Sequence, residues 1–174
     1  NMPDSYQDIL DRHRNSLSGE LRRPKLRSAA LGLEKPYYLY EPPGLDSNKE
    51  LSLLYLFRGH EREWVHFSED QSRHATTAIE DVDAMIKAQQ LPQFVVVMPG
   101  LTSSNNWIPS VGVNMSGTWE SHFQGLGSGR FWDYLTDELF TSIQRRYRHF
   151  NIVRRLAVGF SLGGLTTSLV AARL

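Results

Sequence analysis

Cysteine is absent from the 174-residue chain. Disulfides, thiolate metal sites and a cysteine nucleophile are therefore excluded. Neither sign of charge is in excess. Nineteen basic and 19 acidic side chains leave a formal net charge of zero, which offers no electrostatic basis for binding nucleic acid or an anionic membrane. No apolar run approaches the ~20 residues of a membrane-spanning helix. The start, Asn1-Met2-Pro3-Asp4-Ser5, has no basic-then-apolar leader pattern. The expectation is a cytoplasmic protein, with an earlier-removed signal peptide left open. No pair of the six histidines has metal-ligand spacing, so no metal is expected, and no other cofactor. What is present is an ordinary globular balance, 40% apolar and 22% charged, in a length that suits one domain.

Residues 1–25 are polar and read as a peripheral segment. Within them Asp8 to Leu21 fits a loose helix, with Ile9, Leu10, Leu17 and Leu21 as a sparse apolar face. Arg22, Arg23, Lys25 and Arg27 read as a solvated basic face. Leu26 to Leu33 and Pro36 to Tyr40 read as two strands about a turn near Gly32-Leu33-Glu34-Lys35, and Pro42-Pro43 stops the second. Leu51 to Phe57 and Phe94 to Met98 are short and almost wholly apolar, as strands buried on both faces are. Between them Ser72 to Gln89 carries Ala75, Ala78, Ile79, Val82, Met85 and Ile86 at helical spacing. Ser72 is a candidate N-cap, with Thr76 near Glu80 as a rival. Leu101 to Arg130 is a long loop containing Trp107, Trp119 and Phe123, of a length that is usually functional. Phe131 to Tyr147 repeats the helical spacing through Leu135, Leu139, Ile143 and Tyr147. Strands alternating with amphipathic helices predict an α/β fold: a mostly parallel sheet with antiparallel N-terminal strands.

The sharpest pattern is Gly159-Phe160-Ser161-Leu162-Gly163, followed by Gly164. At average glycine and serine usage, G-x-S-x-G arises by chance in roughly one chain of this length in twenty, so its context carries the weight. An apolar run, Leu156-Ala157-Val158, precedes it, and Leu165 to Ala172 suits a buried helix. Strand, tight turn and helix form the setting of a nucleophile elbow, which would raise the Ser161 hydroxyl above the sheet and aim the Leu162 N–H at an oxyanion. The alternative is a glycine-rich turn whose serine only caps the helix.

From about Leu26 onward the chain resembles the esterase D-like branch of the α/β-hydrolase superfamily. That branch includes feruloyl and acetylxylan esterases, enterochelin esterases, formylglutathione hydrolases and mycolyltransferases. The resemblance rests on Tyr38-Leu39-Tyr40-Glu41-Pro42-Pro43-Gly44, Leu53 to His60 with Trp64, Val95 to Gly100, Trp132 to Leu139 and the elbow, in that order. It implies a three-layer α/β-hydrolase sandwich, with residues 26–174 as the N-terminal part of an esterase domain. It also implies Ser161 as nucleophile and the backbone N–H groups of Leu162 and His60 as the oxyanion hole. Arg58 departs from the His or Asp of many relatives. It would meet a substrate carboxylate or support the loop. Trp107 and Trp119 would line the substrate pocket, or else anchor their loop.

In this superfamily an acid and then a histidine follow the serine along the chain. Only ten residues follow Gly164, and none is acidic or histidine. The resemblance therefore implies that acid and base lie beyond this chain and that the fold is truncated after the elbow helix. A surrogate base, His60 or His122, is the minor alternative. The expected activity is ester hydrolysis through an acyl-enzyme on a small-molecule or glycan-linked ester, with a homo-oligomer compatible with the chain. The alternatives are an acyltransferase, or a non-catalytic protein of the same fold that binds a ligand or partner.

Overall fold

The computed structural model describes residues 6–67, 76–118 and 123–174. The strands are β1 (Glu20–Arg22), β2 (Lys25–Ser28), β3 (Leu33–Glu41), β4 (Glu50–Phe57), β5 (Phe94–Pro99) and β6 (Asn151–Gly159). They form one six-stranded sheet in the order β1-β3-β5-β4-β6, with β2 also paired to β3. β3 runs antiparallel to β1, β2 and β5, whereas β4 is parallel to both β5 and β6. This is the expected mixed sheet, parallel in its centre and antiparallel at its N-terminal edge.

Strand residues alternate between two apolar layers because successive side chains point to opposite faces. Tyr37, Leu39, Tyr55, Phe57, Val95 and Val97 enter one core. Tyr38, Tyr40, Leu56, Val96 and Met98 enter the other. The first core is closed by α3 (Phe131–Asp133), a π-helical stretch (Tyr134–Leu139) and α4 (Phe140–Arg146), which run on as one rod. Val170, from α5 (Leu162–Val170), joins this core. The second core is closed by Ile9 of α1 (Tyr6–Ser16), by Trp64 and Val65, and by Ala78 and Ile79 of α2 (Ala78–Lys87).

Three boundaries differ from the sequence expectation. The first helix ends at Ser16, and Leu21 belongs to β1. Asp83 on α2 accepts from the Ser18 and Gly19 N–H groups, both at 2.8 Å, and from the Tyr40 hydroxyl at 2.7 Å. That distant carboxylate turns the chain into the sheet. The β2–β3 turn falls at Ala29–Gly32, so Leu33, Glu34 and Lys35 are strand. Glu138 holds it, accepting from Ser28 Oγ and from the Ala29 and Ala30 N–H groups, and Gly32 takes the left-handed φ of +75°. The N-cap of α2 is Thr77, which stands three residues before Glu80 as a reciprocal capping box requires; Thr76 is one residue out of register. Ser72 lies outside the described residues.

β4 leads through its loop to α2 on one face, and β6 leads through the elbow to α5 on the other. Adjacent parallel strands whose connections part in this way leave a crevice at their carboxyl ends.

Candidate active site

The crevice is a cleft of about 340 Å³. Its walls are Arg58, Gly59 and Glu63 after β4, Thr102, Asn106, Trp107 and Pro109 after β5, and Phe160, Ser161 and Leu162 after β6.

Ser161 adopts φ +58° and ψ −121°. That lies outside the regions open to ordinary L-residues and costs on the order of 1–3 kcal/mol. Two glycines make the bend possible. A Cβ at Gly159 would run into the carbonyl of Gly163, and one at Gly163 into the carbonyl of Phe57. Both obstacles are backbone, so the strand–helix approach admits no side chain at either position. Gly164 has open space around it. The turn is tied to β4 by the Phe160 N–H, which donates to the Phe57 carbonyl at 3.1 Å. The Ser161 side chain makes no capping bond to α5, and the residue is exposed. Ser161 thus forms a strained turn from β6 into α5 and does not cap that helix through its side chain. The Leu162 N–H, at the first position of α5, has no acceptor among the described residues.

His60 lies on the loop after β4, and its backbone N–H donates to Glu63 Oε1 at 3.2 Å. Its ring is buried, with Nδ1 accepting from the Arg62 N–H at 3.3 Å and standing 3.0 Å from Glu61 Oε2. Burial, reinforced by the positive charges of Arg62, Lys35 and Arg23, pushes the imidazole down to about 3. The ring, so engaged, braces its own loop and does not line the cleft. No histidine among the described residues lines the cleft. His122 and Trp119 lie outside the described residues.

Arg58 lines the cleft, but its guanidinium serves the loop. Nη1 donates to the Glu63 carbonyl at 3.1 Å, Nε lies 3.3 Å from Glu63 Oε2, and the group stacks over Trp64 and Phe160. Trp107 is 75% exposed on the rim. Phe123 packs against the first core and anchors the long loop.

Sequence reasoning missed the polar groups under the cleft. Lys35 is buried and donates to the carbonyls of Thr102, at 2.6 Å, and Gly125, at 2.9 Å, so one ammonium pins both ends of the long loop. Burial pushes it down to about 8. Glu61 is buried between Arg23, at 3.3 Å, and His60, and burial raises its carboxyl. Glu63 and Asn106, linked at 2.8 Å, join the two walls. The one available signal was H-x-x-E over His60 and Glu63, a capping-box spacing with an unusual first residue.

The model of the "Putative esterase" family matches residues 28–173. No curated protein matches the chain. Among solved structures, the CE1 ferulic acid esterase of Anaeromyces mucronatus is similar at 18% identity and a TM-score of 0.53, over 90% of this chain and 56% of that one. The feruloyl esterase module of Clostridium thermocellum, complexed with sinapinate, gives 18% and 0.56 over 87% of this chain and 48% of that one. Fluorophosphonate-binding serine hydrolase F of Staphylococcus aureus gives 17% and 0.50 over 88% and 51%. The chain thus spans about half the length of these structures, and at such identities they establish a shared fold. With a family match that runs from β2 to the end of α5, on an α/β-hydrolase sheet, the chain belongs to the Putative esterase family.

Proposed function

We propose that the protein is a serine carboxylic-ester hydrolase with Ser161 as its nucleophile. The observation that carries this reading is the strained backbone of Ser161 beside a cleft, with its side chain unused as a cap. Strain of this kind persists where the surroundings impose it, and it frees the hydroxyl for chemistry. A base would take the Ser161 proton as Oγ attacks the ester carbonyl. The oxyanion would accept from the Leu162 N–H and from a second N–H on the loop after β4, that of His60. Loss of the alcohol would leave an acyl-enzyme, which water would cleave to the free acid. Acid and base come from outside the described residues in this reading. Trp107 and Phe160, on the rim and floor, would contact an apolar part of the substrate.

The test is covalent labelling of the whole protein with a fluorophosphonate, which captures activated serines. Labelling should occur and should vanish in Ser161→Ala. A folded whole protein that resists the probe, or a Ser161→Ala variant that still takes it up, would reject the assignment.

A further inference from the structure

The loop that should supply the second oxyanion donor already holds an anion of its own. The Glu63 carboxylate accepts from the Gly59 N–H through Oε2, at 3.3 Å, and from the His60 N–H through Oε1, at 3.2 Å. Asn106 Nδ2 donates to Oε1 at 2.8 Å, and Arg58 Nε lies 3.3 Å from Oε2. Four donors thus converge on one side chain, and that side chain lines the same cleft as Ser161. On the other wall the Leu162 N–H has no acceptor among the described residues. The N–H groups facing the cleft thus differ: those of Gly59 and His60 are engaged by Glu63, and that of Leu162 is not.

We infer that Glu63 is an internal competitor for the oxyanion site, so that Ser161 acylation requires its carboxylate to leave the Gly59 and His60 amides. This rests on the reading of Ser161 as nucleophile. The physical case has two parts. An N–H bonded to a carboxylate cannot also stabilise a tetrahedral oxyanion, and here both amides point at Glu63, at 3.3 and 3.2 Å. A carboxylate in the same cleft also opposes the charge that develops at the substrate oxygen, to the extent that Arg58 leaves it uncompensated. Arg58 Nε, 3.3 Å from Oε2, and Asn106 Nδ2, 2.8 Å from Oε1, are the partners that can hold the carboxylate once it leaves the two amides. The same charge would disfavour esters with an anionic acyl group, which makes Glu63 a determinant of specificity as well as rate.

A purely structural role predicts the opposite sign. If the bonds to Gly59 and His60 only hold the loop in shape, their loss should slow the enzyme. The experiment compares fluorophosphonate labelling rates of the whole wild-type protein, Glu63→Gln, Glu63→Ala and Ser161→Ala. Glu63→Ala should label at least about tenfold faster than wild type. Glu63→Gln, which keeps an acceptor but loses the charge, should fall between them. The second readout is sodium acetate against sodium chloride at equal ionic strength. Acetate should slow labelling of Glu63→Ala by standing in for the missing carboxylate, and should leave wild type unaffected. If Glu63→Ala does not fold, Glu63→Gln and its ester turnover decide the matter, with a rise in kcat at little change in KM expected. Unchanged or slower reaction in the folded variants would overturn the inference. Labelling that survives Ser161→Ala would instead reject the nucleophile assignment, so the two failures are distinguishable.

Discussion

At the scale of single residues, the three glycines of the elbow look alike in sequence and differ in space. A side chain at Gly163 meets the Phe57 carbonyl, whereas one at Gly164 meets nothing. Gly163→Ala should therefore disrupt the turn, at a cost above about 3 kcal/mol, or abolish soluble expression. Gly164→Ala should be neutral or stabilising by about 0.5–1 kcal/mol, since alanine suits a helix better than glycine and the site is open. Urea unfolding of the two variants checks the pair, and equal effects would show that the close approach is not as described. The pattern G-x-S-x-G was legible, and so was Ser161. The difference between an indispensable Gly163 and a replaceable Gly164 was not legible, because the obstacle at Gly163 is the carbonyl of Phe57 on a different strand.

At the scale of elements, the loops after β4 and β5 are tied to each other and to β3 by buried polar side chains. His60 braces Glu61 and the loop near Ser104, and Lys35 pins the long loop at two carbonyls. These groups respond to acid. His60 is held down from 6.5 to about 3, chiefly by burial, and His13 is also lowered by burial. Below the unfolded value of 6.5, the unfolded chain takes up protons that the native histidines refuse. Their contribution to stability is thus present at neutral pH and is lost as pH falls from 6.5 toward 3, with a slope up to about 1.4 kcal/mol per pH unit for each proton. Glu61, raised by burial above 4.5, acts with the opposite sign and offsets part of the loss. Unfolding free energies measured from about pH 7 to about pH 4 should decline, more steeply in Glu61→Gln and less steeply in His60→Asn. A flat profile in the wild type would contradict the buried neutral ring. The elements themselves were largely legible, since apolar strands and amphipathic helices announce themselves by period. Their ends were not. Asp83 and Glu138 set two boundaries through contacts that no local pattern encodes.

At the scale of the whole molecule, the sheet among the described residues ends on β6, a parallel strand with one neighbour there. Val153, Leu156 and Val158 on β6 are exposed, as are Phe160, Leu162, Leu165 and Leu169 in the elbow and α5. An open edge flanked by an apolar surface invites pairing, either with further chain or with another copy. This chain by itself should self-associate with rising concentration, and the double variant Val158→Lys, Leu165→Lys should reduce the association. Sedimentation velocity measures both, and a wild-type chain that stays monodisperse at high micromolar concentration would refute the prediction. Among the described residues no helix is long and apolar enough to cross a membrane.

The sequence by itself determined the alternation of strands and helices, the mixed sheet and the position of the tight turn at Ser161. These follow from side-chain period, from glycine's freedom and from the order of short apolar runs, all of which are local properties. The burial those runs predicted for β6 and α5 is not observed, because Leu156, Val158, Leu165 and Leu169 have no covering layer among the described residues and are exposed. Only the tertiary structure decided what surrounds Ser161. The cleft is assembled from three loops that follow three different strands, and Glu63 on one of them is tied to Asn106 on another, 43 positions away. Glu63 shows the difference most plainly. Its capping-box spacing from His60 can be read along the chain. That its carboxylate shares a cleft with Ser161 depends on β4 and β6 lying side by side, which no local pattern reveals.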